Sequence, residues 1–164
     1  MQQSLSTPAI VLEGLMSQSP DLHPSSESPV LSTVRAWYDA TAKWDLNALA
    51  DLFHDTYYHQ TIPAIADDGI KNKKQALDYA DSVSEALGKL PMKVIFHYEL
   101  FDIIESQNRI WVHSRLYAEK DGKILFNNES IFLFTLTEDD KPKIKAIREF
   151  VDTKTLSDWK SQSL

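Results

Sequence analysis

The sequence contains no cysteine, which excludes disulfides, thiol nucleophiles and Cys-ligated zinc. Glycine is scarce: Gly14, Gly69, Gly88 and Gly122 are the only four, and no two lie close together. Neither a glycine-rich phosphate cradle nor a dinucleotide-binding turn can be built from them. Basic residues are also few, 17 against 24 acidic ones, and a net charge of −7 offers no basic face to phosphate. Nucleic acid is therefore not an expected partner. No apolar run approaches the roughly 18 residues that a membrane helix needs. Met1 to Ser19 lacks the basic start and long apolar core of a signal peptide. No membrane partner and a cytoplasmic location are the expectations. What remains is 164 residues, 43% hydrophobic and 25% charged, which suit one soluble domain with a real core.

Residues 1–28, rich in Ser, Pro and Gln, read as a mobile tail, with Ile10 to Met16 as a possible short helix within it. Residues 29–160 read as the domain and 161–164 as a short C-terminal tail. Ser28-Pro29 is a cap followed by proline at the first helical position. Val30, Val34, Trp37, Tyr38 and Thr41 then recur at helical steps. Asp45 caps a second helix with Leu46, Leu49, Leu52 and Phe53 as its stripe. Tyr57 to Ile62 is β-prone and stops at Pro63. Asn72 and Gln75 form a capping box that opens a third helix, ending at Gly88, with Ala76, Leu77, Ala80, Val83, Ala86 and Leu87 inside.

Beyond Pro91 the periodicity becomes two. Strands follow over Val94 to Leu100, Arg109 to Glu119, Lys123 to Leu136 and Lys143 to Asp152, with turns at Ser106-Gln107-Asn108, Asp121-Gly122 and Glu138-Asp139-Asp140. Thr153 to Lys160 reads as a terminal helical turn or two. Helices followed by an antiparallel meander predict an α+β domain.

Lys143 and Lys145 suggest a wet side of the last strand, which would turn Ile144, Ala146, Arg148, Phe150 and Asp152 inward. One strand earlier, Trp111, His113, Arg115 and Tyr117 share a face. With Tyr57 and His59 these residues would make a polar-lined concavity with aromatic walls. The same residues would equally suit an open convex face or a dimer interface, because a slip of one residue inverts each strand.

This element order resembles the nuclear-transport-factor-2-like superfamily in its SnoaL-like branch. The similarity is carried by Leu49-Ala-Asp-Leu-Phe-His54, Tyr57-Tyr-His-Gln-Thr-Ile-Pro63, Ile147-Arg-Glu-Phe-Val-Asp-Thr153, and Asn128-Glu129 opening a hydrophobic strand. The resemblance implies a cone-shaped α+β barrel, a strongly curved antiparallel sheet wrapped by N-terminal helices around an internal pocket. It also implies a homodimer, expected through the sheet face, and a pocket without metal or cofactor. Its members include ketosteroid isomerase, scytalone dehydratase, limonene epoxide hydrolase and polyketide cyclases. Tyr57-x-His59 is similar to the water-positioning Tyr-x-Asn of the epoxide hydrolase, and Asp152 falls where that enzyme has its final-strand carboxylate. Arg115-x-Tyr117 replaces its Arg-x-Asp, which removes the acid–Arg–base relay.

A His–Asp pair facing an apolar cavity is a general acid–base unit. The expected catalytic set is His59 with Asp152, His113 as a second base, and Arg115 holding a developing negative charge. The expected substrate contacts are Trp37, Tyr38, Tyr57, Trp111, Tyr117, Glu129, Arg148 and Phe150, with Trp44 as a further aromatic wall. His97-x-Glu99 with His113 has the residue types of a two-His, one-carboxylate metal site, but no metal is expected. The function that follows is a cofactor-independent isomerase, cyclase or dehydratase acting on a small apolar polyketide- or terpenoid-like metabolite. The alternative is a non-catalytic small-molecule-binding or dimerisation module.

Overall fold

The computed structural model describes residues 27–63, 69–88, 95–120, 123–152 and 154. Of the expected N-terminal tail only residues 27 and 28 are described; its short helix, the Asp121-Gly122 turn, most of the terminal helical segment and the C-terminal tail lie outside the described residues. Helix α1 spans Pro29–Lys43, α2 Leu46–Leu52 and α3 Lys73–Gly88. The strands are β1 Phe53–Ile62, β2 Ile70–Asn72, β3 Ile95–Ser106, β4 Arg109–Lys120, β5 Lys123–Leu136 and β6 Ile144–Val151.

Capping chemistry sets the helix ends. Ser28 Oγ accepts from Leu31 N at 3.0 Å, with Pro29 following where its missing N–H costs nothing. Asp45 Oδ1 accepts from Ala48 N at 3.0 Å and starts α2. Asn72 and Gln75 exchange side-chain to backbone bonds at 2.9 and 3.0 Å, the reciprocal box expected of them. Helix α1 closes on Trp44, whose φ of 54° is left-handed. Trp44 N donates to Thr41 O and Asp45 N to Ala40 O, a Schellman arrangement that usually recruits glycine. A residue with a Cβ costs about 1–2 kcal/mol there.

The six strands form one sheet in the order β2-β1-β6-β5-β4-β3. The sheet is mixed and open, and in this it departs from the expected antiparallel barrel. β1 and β6 run parallel, while every other pair is antiparallel. The last strand inserts between β1 and β5, so a meander of local hairpins ends in one long-range parallel pairing. Phe53, expected on the α2 stripe, opens β1 instead, and the short edge strand β2 was not foreseen.

The core lies between α1 and the sheet, where Val34, Trp37, Tyr38, Ile110, Val112, Phe134, Leu136, Ile144 and Ile147 are buried. Trp37 meets Phe134 edge-on at 5.2 Å and Phe132 at 5.4 Å. Helix α3 turns Ala76, Leu77 and Ala80 toward this core. It closes the side of a hollow between helices and sheet.

Which side chains reach that hollow is decided by strand phase. Ile110, Val112 and Ser114 of β4 pair with Phe134, Phe132 and Ser130 of β5, and all six are buried. Their odd-numbered neighbours Trp111, His113, Arg115 and Tyr117 therefore lie on the outer face, against the expectation that they line the pocket. On β6 the expected phase holds for Ile144 and then inverts. Leu136 pairs with Ile144, yet Thr135 pairs with Ala146, so Lys145 is an extra residue and makes a bulge. Beyond it Ile147 and Glu149 oppose the inward Phe134 and Phe132. Arg148 and Phe150, expected inward, are exposed instead.

Candidate functional site

The hollow between α1, α3 and the sheet is a cavity of about 240 Å³. That exceeds the roughly 150 Å³ of a dry cavity that admits benzene and is somewhat below the usual range of drug-sized pockets, which starts at about 300 Å³. One or two fused rings fit its scale. Its walls are mostly apolar: Trp37 and Ala42 from α1 and Trp44 from its cap, Ala76, Ala80 and Val83 from α3, and Phe96, Leu116 and Phe132 from the sheet.

One ionisable pair faces this apolar space. His59 of β1 and Glu149 of β6 both line the cavity, with Nε2 and Oε2 3.1 Å apart. Their side chains are 22% and 23% exposed, so the pair is substantially shielded from water. The parallel β1–β6 ladder brings them together by placing Thr61 opposite Glu149, one inward step along from His59. On its other side, His59 Nδ1 lies 3.4 Å from the Tyr57 hydroxyl. A carboxylate can only accept, so Nε2 carries the hydrogen, and in the neutral ring Nδ1 then accepts from Tyr57. Both ring nitrogens are then occupied within the protein. Glu149 keeps unused lone pairs, which makes it the group able to take a proton from a bound molecule while His59 orients it.

Hydroxyls punctuate the remaining wall. Tyr38 Oη and Ser114 Oγ are hydrogen-bonded at 2.9 Å, and Ser130 and Thr61 also line the cavity. Burial pushes the Tyr38 and Tyr57 hydroxyls well above the ordinary tyrosine range, and the negative charge of Glu149 adds to this; the Ser114 bond partly opposes it at Tyr38. Tyr98, another cavity residue, is pushed up to about 12 by burial and then by its bond to Asp39. All three are therefore neutral hydrogen-bond donors at any physiological pH.

A stability consequence follows with a definite sign. An unfolded tyrosine loses its proton near pH 10, whereas these folded ones retain it. The native state then holds more protons, and stability present below pH 10 is lost as pH rises. Urea unfolding midpoints are expected to fall steeply above pH 10. Buried Tyr57 contributes up to about 1.4 kcal/mol per pH unit. Tyr57→Phe should flatten this slope; an unchanged slope would refute the assignment.

Five of the expected site residues meet in the cavity: Trp37, Tyr38, Trp44, Tyr57 and His59. Asp152 does not join His59. It is exposed just past β6, where its Oδ1 accepts from Lys154 N at 2.9 Å. Glu149 takes the place expected of it, because the Lys145 bulge shifts the strand by one residue. On the outer face His113 sits between Asp102 at 3.4 Å and Glu129 at 3.5 Å. Arg115 pairs with Glu99 and stacks over Phe101 and Tyr117. The Tyr58 hydroxyl lies 3.5 Å from Arg148. Trp111, Tyr117, Glu129, Arg148 and Phe150 thus belong to the face away from the cavity, not to its lining.

His97 stacks on Tyr117 with ring centroids 5.0 Å apart, and Glu99 is engaged by Arg115. Among the described residues no group of three or more His, Asp or Glu is placed to hold a metal ion. Among the same residues, no helix is long and apolar enough to cross a membrane.

Sequence reasoning missed Glu149, Ser114, Ser130 and Thr41. A signal for Glu149 was present: Ala146 and Ile147 are consecutive apolar residues in an otherwise alternating strand, the mark of a phase shift. Thr41 and Trp44 both line the cavity with a buried polar atom, Oγ1 and Nε1, that has no hydrogen-bond partner. Such orphaned groups cost about 1–3 kcal/mol each.

No protein-family model matches this sequence, and no curated protein matches it either. Solved structures do. PrhC from Penicillium brasilianum is similar at a TM-score of 0.67 and 13% identity, over 82% of this chain and 87% of its own. The BvnE pinacolase from Penicillium brevicompactum is similar at a TM-score of 0.67 and 14% identity, over 82% and 93%. A putative SnoaL-like polyketide cyclase from Shewanella denitrificans is similar at 0.63 and 10% identity, over 81% and 97%. The likeness shows that this chain shares the fold of these proteins.

Proposed function

We propose that this protein is a cofactor-independent isomerase, cyclase or dehydratase of a small apolar metabolite, polyketide- or terpenoid-like, in secondary metabolism. The observation that carries this reading is the Glu149–His59 pair at 3.1 Å, facing a cavity whose walls are otherwise largely apolar. An ionisable pair half-withdrawn from water is costly unless it is used or fully paired, and Glu149 retains acceptor capacity toward the cavity. Glu149 takes a proton from carbon or oxygen of the substrate, His59 holds the carboxylate in position, and the neutral hydroxyls of the wall donate to developing negative charge. A pinacolase and a protein described as a SnoaL-like polyketide cyclase share this fold, which supports the reading, and a shared fold alone does not select among reactions.

A generic carbon acid tests the reading without the natural substrate. In D2O, Glu149 should remove an α-proton of 2-tetralone, leaving the enolate, which then recovers a deuteron at carbon. Exchange at C1 should exceed that in acetate–imidazole buffer of the same composition without protein. Exchange no faster than buffer, with 2-tetralone still bound, would overturn catalysis in favour of a binding module.

The outer sheet face supports a second copy of the chain as partner. Phe101, Ile104, Trp111, Ile131 and Phe150 are exposed there, between 39% and 67%. They are interleaved with Arg115, Arg148, Asp102 and Glu129, charges of both signs that let one face meet itself about a two-fold axis. Sedimentation should give a dimer, and Trp111→Glu a monomer of unchanged circular dichroism. A monomeric wild type would remove the proposal.

A further inference from the structure

Where α1 ends, two cavity-lining side chains each carry a buried polar atom without a partner, Thr41 Oγ1 in the last turn and Trp44 Nε1 at the cap. Neither condition is the ordinary one. In the same helix Thr33 returns its hydroxyl to Pro29 O at 2.9 Å, the usual bond of a mid-helix threonine. Thr41 makes no such bond. Trp44 occupies the left-handed position that glycine normally takes, and Phe96 packs edge-on against its indole at 5.8 Å. A strained backbone that carries a cavity-lining side chain is a mark of function.

We infer that Thr41 and Trp44 form a hydrogen-bonding subsite for a carbonyl oxygen of the ligand, so that the cavity selects ketones, quinones or esters over ring hydrocarbons of the same shape. The indole N–H only donates, and a threonine hydroxyl can also donate. A carbonyl oxygen has two lone pairs, enough to accept from either group or from both. Selection arises because a hydrocarbon leaves both groups unpaired in a water-poor wall. This inference rests on the cavity being a ligand site, but not on Glu149 acting as a base.

Equilibrium dialysis of the full chain against 2-tetralone and tetralin, which differ by the carbonyl oxygen, separates the two readings. Wild type should bind 2-tetralone about tenfold more tightly or better. Trp44→Phe keeps the ring and removes the N–H, and Thr41→Val removes the hydroxyl; each should bring the two affinities toward parity. Thr41→Ser should restore the preference, which also guards against a misfolded Trp44 variant. Equal binding by wild type would overturn the subsite while leaving the cavity reading intact. A preference that survives both variants, or is erased by Tyr38→Phe instead, would overturn it as well. Binding of neither compound would remove the cavity reading, and the subsite with it.

Discussion

Glu149→Gln is expected to lower α-proton exchange on 2-tetralone by about 10²–10⁴-fold, the range a positioned general base contributes. Glutamine keeps the shape and can still accept from His59 Nε2, so packing around the pair at 3.1 Å is preserved. What it loses is a carboxylate able to take a proton. Binding of 2-tetralone should change little, which separates loss of chemistry from loss of the cavity. His59→Gln should be milder, since Glu149 remains but is no longer held by the ring that Tyr57 braces from the other side. If Glu149→Gln exchanged at the wild-type rate, the carboxylate would not be the base. If His59→Gln were the more damaging, the imidazole itself would be the proton acceptor.

The second large effect is on stability. Phe134 has no exposed surface, lies near the end of β5, an inner strand of the sheet, and meets Trp37 edge-on at 5.2 Å and Phe132 at 5.8 Å between ring centroids. Its neighbours across the strands, Ile110 and Ile147, are equally buried. Phe134→Ala removes a ring from a place where sheet pairing prevents collapse, and should cost about 3–5 kcal/mol. Against a total of about 5–15 kcal/mol this is a large share. Phe132→Ala is the control: that ring borders the cavity, so its loss enlarges an existing hollow. A cost below about 1 kcal/mol for Phe134→Ala in urea unfolding would contradict this placement of the core.

The helices were legible because their signals are local. Ser28-Pro29, Asp45 and the Asn72–Gln75 box state where each helix begins, and the structure uses all three. The strands were legible as strands, but their phase was not. A residue such as His113 or Arg115 looks out of place beside Trp111, and chemistry invites it into a pocket. The ladder with β5 overrules this, because Val112 and Ser114 must face Phe132 and Ser130. On β6 one bulged residue converts Arg148 and Asp152 from expected lining into surface, and brings Glu149 in. His59 and the aromatic wall of Trp37, Tyr38 and Tyr57 were found because the two-residue step from Tyr57 to His59 and the helical face of Trp37 and Tyr38 are local patterns. The parallel β1–β6 pairing depends on chain segments some 90 residues apart, and no local pattern announces it.

That pairing also orders events in time. Strands β3 to β5 are joined by short turns and can zip as neighbours, while β1 and β2 belong to the other side of the sheet. Only β6 stitches the two halves together, and it carries Glu149. During synthesis His59 emerges early and waits with no carboxylate beside it. The Glu149–His59 pair comes into being in the same step that completes the sheet. A chain that stalls short of that step holds no partly formed pair; it holds none.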